Sequence, residues 1–201
     1  MAKRNNQIGD IMVHPPAPAY ESQSRLVSGS ITQAIGIVVF ILLAALGAQL
    51  EIQRIPVPYT LQTWFVLMAG AILGKRNGAI SMLLYVVLGT AGVPLFSQWG
   101  FGVARIIGPT GGYLLSFPIA AFVVGYLMAN RKSFLWITLS MVVGMILIYV
   151  MGTIHLYFVY FHNWSDSIMQ GFLVFSWWDG LKIVSAAGIA YQLRKQRERG
   201  A

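Results

Sequence analysis

The sequence predicts an all-α membrane protein: a six-transmembrane-helix bundle with both termini in the cytoplasm. Three observations carry that prediction. Of 201 residues, 57% are hydrophobic and 10% charged, with a mean hydropathy of +0.67. A soluble domain is about 45–50% apolar and about 25% charged, and a soluble chain of this size has too small an interior to hide the excess. Six apolar stretches follow one another, the second shorter and the fifth longer than the roughly 20 residues that cross a bilayer. Eleven of the fourteen basic residues fall on one side of that six-span arrangement, as cytoplasmic loops require. A soluble enzyme, a disordered tail and a nucleic-acid module are excluded. The lack of cysteine excludes a disulfide scaffold and a thiolate metal site.

Residues 1–28 are polar and broken by Pro15, Pro16 and Pro18. Lys3 and Arg4 resemble the start of a signal peptide, but no apolar run follows them. The segment reads as a mobile cytoplasmic tail. Residues 29–194 form the transmembrane domain, and 195–201 a basic cytoplasmic tail. The predicted spans run Ile31–Leu50, Thr60–Leu73, Ala79–Leu95, Ile107–Met128, Phe134–Phe161 and Phe172–Leu193. Lys75 and Arg76 sit in the turn between the second and third, Arg131 and Lys132 in that between the fourth and fifth. Arg194, Lys195, Arg197 and Arg199 follow the sixth, and Lys3, Arg4 and Arg25 precede the first. The net charge of +8 is therefore mostly an orientation signal, and no nucleic acid is needed to explain it. The two basic turns are too short for catalytic apparatus. Function is expected in the longer outward connections 51–59, 96–106 and 162–171, and at the span ends beside them.

The three basic residues outside the orientation pattern are Arg54 and Arg105 in the outward connections and Lys182 inside a span. Asp179 and Lys182 interrupt the sixth span and are three apart, so a helix puts them on one face. Ionisable groups inside a span are costly and mark functional sites, although such a pair also neutralises itself. Arg105 lies beside the glycine-rich loop Ser97-Gln98-Trp99-Gly100-Phe101-Gly102. Two cations and a carboxylate in an apolar cavity suit a ligand with an anion and amide-like groups. Arginine forks onto a carboxylate, and aspartate accepts from N–H donors. Trp99 and Phe101 suit an apolar lid or an interfacial aromatic belt. Ile55-Pro56-Val57-Pro58-Tyr59-Thr60 reads as a stiff extended segment ending at Thr60 as a helix cap. Gly108-Pro109-Thr110-Gly111-Gly112 lacks the Lys-Ser/Thr ending of a phosphate loop. His155, His162 and Asp166 do not assemble a convincing metal site. Ala44 and Ala48, with Gly47, let helices approach closely, inside the chain or against a partner.

Several of these stretches resemble the BioY family. They are Val57-Pro58-Tyr59-Thr60-Leu61-Gln62-Thr63, Leu88-Gly89-Thr90-Ala91-Gly92-Val93-Pro94-Leu95-Phe96, Gly108-Pro109-Thr110-Gly111-Gly112-Tyr113-Leu114 and Trp178-Asp179-Gly180-Leu181-Lys182. The resemblance covers about residues 40–190. BioY proteins are biotin-binding S components of energy-coupling-factor (ECF) vitamin transporters. The resemblance implies a six-helix bundle that captures biotin at the outer face and delivers it inward. Its partners would be a transmembrane coupling protein and two cytoplasmic ATPases, which use the ATP; the chain itself needs no cofactor and is no enzyme. The implied location is the cell membrane, a prokaryotic inner membrane. The implied biotin-binding residues are Gln98, Trp99, Phe101, Arg105, Asp179, Lys182, Tyr85 and Tyr149. The biotin carboxylate suits Arg105 or Lys182 and its ureido N–H groups suit Asp179. Ala44 and Ala48 match the small-residue motif that packs on the coupling protein. The alternatives are an S component for another vitamin and a membrane-embedded enzyme.

Overall fold

The computed structural model describes residues 19–131, 133–173 and 176–199. The tail residues 1–18 and Lys132 lie outside them. The chain divides into two compact units, residues 1–32 and 33–201. The first, as far as it is described, is the leading part of helix α1, which runs Ala19–Gln49. Helix therefore begins inside the stretch assigned to the N-terminal tail.

The second unit is helical, as chains in lipid must be when every backbone group has to be bonded internally. A two-residue hairpin, β1 (Glu51–Ile52) with β2 (Tyr59–Thr60), follows α1. Next come α2 (Gln62–Thr90), α3 (Val103–Ile107), α4 (Gly111–Leu127), α5 (Phe134–Leu156), α6 (Trp164–Gly171) and α7 (Ser176–Arg199). Among the described residues, three helical stretches are long and apolar enough to cross a membrane: Gly29–Gln49, Gln62–Thr90 and Phe134–Phe161. Helix α4 is a shorter apolar one.

Helix α2 is two antiparallel limbs. Gly74, at φ 80° and ψ 177°, breaks it in a conformation that only glycine adopts readily. Past the break the chain doubles back: Gln62 donates to the Tyr85 hydroxyl at 2.6 Å, although a straight helix would hold them about 34 Å apart. The two limbs match the predicted second and third spans, but the turn between them is a single residue rather than five. The limbs pack closely on each other and on α4. A Cβ on Gly78 would lie 2.8 Å from the Ala69 carbonyl oxygen, and one on Gly70 only 2.3 Å from that of Ala121.

Other predicted boundaries shift for local reasons. Thr60 does not cap α2. It belongs to β2, and Leu61 holds the cap position without a side-chain bond. The fourth span starts at Gly111 because α3 and the Gly108-Pro109 break precede it. Ser133 caps α5 by accepting from the Trp136 N–H at 3.2 Å. A π-helical turn, Tyr157–Phe161, extends α5 until His162 ends it at φ 54°. The 162–171 connection holds a helix of its own, α6, capped by Asn163.

The packing is that of a membrane protein. Ala44, Ala69, Ala120, Ala121 and Ala186 are fully buried, while Leu42, Leu46, Leu83, Leu135 and Leu181 are exposed. Small residues inside permit close helix contact in lipid, where burying large apolar side chains gains nothing over leaving them in the tails.

Candidate functional site

The site is built where α7, α5 and the start of α2 meet. Helical spacing places Asp179 and Lys182 on one face of α7, both almost fully buried, with Oδ1 2.9 Å from Nζ. The ammonium has three donors. It also donates to the Thr60 carbonyl at 2.6 Å and to Thr63 Oγ1 at 3.4 Å. Tyr149 of α5 donates its hydroxyl to Asp179 Oδ2. Asp179 Oδ1 keeps the ion pair but accepts no hydrogen bond. Two buried charges thus neutralise each other and tie three elements together. Removing one partner of such a pair costs about 3–5 kcal/mol, because the other is left buried alone.

Beside this cluster lies a narrow, partly open cavity. Lys182, Tyr149, Thr60, Gln62 and Thr63 line it together with Arg105, Thr110 and Ser97. Its apolar wall comes from Val57, Phe96, Tyr113, Leu114 and Phe117. Tyr113 is set by its hydroxyl, which donates to the Gly171 carbonyl at 2.8 Å, and by its edge-on contact with Tyr149. Gly152 makes room for that ring, which lies 2.3 Å from where a Cβ would stand. The cavity combines carboxylate-binding cations, hydroxyl and amide groups and an aromatic wall. It can hold an elongated ligand with an acid group, polar N–H or C=O groups and an apolar body.

The loop 96–102 and α3 form the rim. Gln49 ties the loop to α1: its Nε2 donates to the Phe96 carbonyl at 2.9 Å, and its Oε1 accepts from the Trp99 N–H at 3.0 Å. Gln98 and Trp99 both have positive φ there. The Arg105 guanidinium lies against Gly100, its Nε 2.3 Å from where a Cβ would be. His155 of α5 bonds the Gly108 carbonyl at 3.0 Å and so holds the turn before α4.

The sequence-predicted residues are therefore distributed. Arg105, Tyr149 and Lys182 line the cavity, and Asp179 stands behind the last two. Tyr85 is fully buried under the rim, accepting from Gln62 and donating to the Leu95 carbonyl at 2.9 Å. Gln98 and Phe101 line a second, outer cavity. Trp99 is 65% exposed on the loop. Ala44 and Ala48, expected at a partner surface, are fully buried inside the chain, and the exposed side of α1 carries Val38, Val39, Leu42 and Leu46 instead. Sequence reasoning gave Thr60 only a capping role and gave no individual role to Gln62, Thr63, Thr110 or Tyr113. The available signal was their polarity at the ends of apolar stretches.

A model of the family described as the BioY family matches residues 21–199. A protein named biotin transporter BioY from Thermotoga maritima is 41% identical over 157 residues, covering 78% of this chain and 92% of that protein. A probable biotin transporter BioY from Pyrococcus horikoshii is 37% identical, covering 79% and 93%. Among solved structures, the crystal structure of the S-component for biotin from an ECF-type ABC transporter superposes with a TM-score of 0.74. It is 26% identical and covers 86% of this chain and 93% of that one.

Proposed function

Because the chain belongs to the BioY family, we propose that it captures biotin in the cavity between α2, α5 and α7 and serves as the S component of a biotin uptake system. The observation that carries the reading is the buried Asp179–Lys182–Tyr149 cluster against a cavity lined by polar and aromatic side chains. Asp179 Oδ1, which accepts no hydrogen bond, takes a ureido N–H once Tyr149 and Lys182, which stand between it and the cavity, give way. Arg105 takes the carboxylate, since Lys182 is already paired with Asp179 and bonded to Thr60 and Thr63. Tyr113, Phe117 and Tyr149 face the apolar body. Trp99, with Gln98 and Phe101 on the outer cavity, covers the entrance, and Tyr85 fixes the rim from below.

Six membrane crossings follow if the two limbs of α2 each cross. Both termini, with residues 1–28 and 195–201, then lie in the cytoplasm of a prokaryotic cell, the arrangement that the basic residues favour. Release inward requires partners, a membrane coupling protein and two ATPases that consume ATP. Titration of the purified protein in detergent or nanodiscs with biotin tests the reading. Saturable binding of one biotin per chain is expected, with other vitamins failing to compete. A different vitamin displacing biotin would reassign the substrate.

A further inference from the structure

We infer that the outer cavity is an encounter site for the ligand's carboxylate, and that Arg54 supplies its attraction. This rests on the functional reading above and adds a step to it. The outer cavity has about 860 Å³ of empty space. It shares Pro58, Arg105 and Thr110 with the inner one, so these three residues form a common wall between the two spaces. A ligand crossing between them passes Arg105.

The outer cavity also carries Arg54, contributed by the 51–59 connection. Arg54 and Arg105 are the only basic residues in the three connections at this end of the bundle. Arg54 is held rather than neutralised. It donates to the Tyr59 hydroxyl at 2.8 Å and to the Gln170 side-chain oxygen of α6, and neither partner is charged. The acids of this end, Glu51 and Asp166, line neither cavity. Inside, by contrast, the Lys182 charge is already balanced by Asp179. Among the described residues, no acidic side chain lines either cavity, so the charges that face these spaces at the mouth are positive. Such clefts concentrate anions and raise association rates by about 10- to 1,000-fold, with steep salt dependence.

Stopped-flow measurement of biotin association to the full chain in nanodiscs, at about 10 mM and about 1 M ionic strength, tests this. Arg54→Gln is expected to slow association about tenfold at low salt, with the difference vanishing at high salt. Arg54→Lys retains most of the rate. Gln170→Ala loosens the bracket but keeps the charge, so it keeps the low-salt advantage. The neutral biotin amide associates equally with wild type and Arg54→Gln. Equal low-salt rates for biotin, or the same slowing for the amide, would overturn the inference and leave Arg54 a strut between the hairpin and α6. A wild-type protein that binds biotin at rates independent of salt overturns the inference alone. One that binds no biotin at equilibrium removes the functional reading with it.

Discussion

The two ends of the helical bundle use arginine in opposite ways. At the hairpin end, Arg54 and Arg105 point into cavities and meet no acidic partner among the described residues. At the Gly74 end, Arg194 of α7 donates to the carbonyls of Met128 at 2.8 Å and Arg131 at 3.0 Å, and reaches that of Ala71 at 3.5 Å. Those carbonyls sit where α4 and the first limb of α2 end, and helix ends leave C=O groups without intrahelical partners. A cation there also complements the helix dipole. Nearby cations lie on aromatic rings, Lys75 over Tyr126 and Arg131 over Trp136. Charge at one end therefore closes the fold, and charge at the other lines the cavities. Counting basic residues orients the chain but does not separate these uses; their acceptors do.

Substitutions probe that division, and Asp179→Asn should have the largest effect. It removes the counter-ion of a buried ammonium, so thermal unfolding should register about 3–5 kcal/mol of lost stability. Biotin affinity should fall on the order of 100-fold by titration, as for lost bonds to a charged acceptor. Unchanged affinity would take Asp179 out of the site. The double change Asp179→Leu with Lys182→Met sharpens the point. Replacing both charges with apolar groups should recover most of the stability, while binding stays lost. A double variant as unstable as the single one would mean that the pair holds the fold through Thr60 and Tyr149 more than through charge balance.

Gly74→Ala comes next. Its backbone conformation costs a side chain about 1–3 kcal/mol, so the melting temperature should drop while the biotin affinity of the folded fraction stays within about twofold. Arg194→Ala should lose about 1–2 kcal/mol by leaving carbonyls unmatched, again without touching affinity. If either variant weakened biotin binding in well-folded protein, the two ends would be coupled and the division would fail. Trp99→Ala should do least. An exposed rim residue contributes little to affinity, and about threefold faster biotin release by stopped flow is expected.

The Asp179–Lys182 pair was legible because spacing on a helix and an apolar setting suffice to put two charges together. Arg105 was legible because it broke the basic-residue pattern. The reversal between 73 and 79 was legible from Lys75 and Arg76, although its one-residue tightness needed the φ of Gly74. What Lys182 actually binds was hidden. One acceptor is the backbone carbonyl of Thr60, 122 residues away, and a carbonyl has no sequence signature. The Gln62–Tyr85 bond was hidden because it depends on the register of two antiparallel limbs. Ala44 and Ala48 show the limit of composition. Small residues announce a close approach, but which surface approaches is settled by the fold, here by burial within the chain.

The single-residue reversal at Gly74 has a mechanical meaning. With backbone in contact at Gly70 and Ala121, and Gly125 lodged against Lys75, that end has no slack. The limbs of α2 and helix α4 are joined there like the closed end of a pair of tongs. Any parting of these helices must then begin away from that end. Backbone packed on backbone, with no side chain between to shift, makes the Gly74 end the fixed point of the bundle.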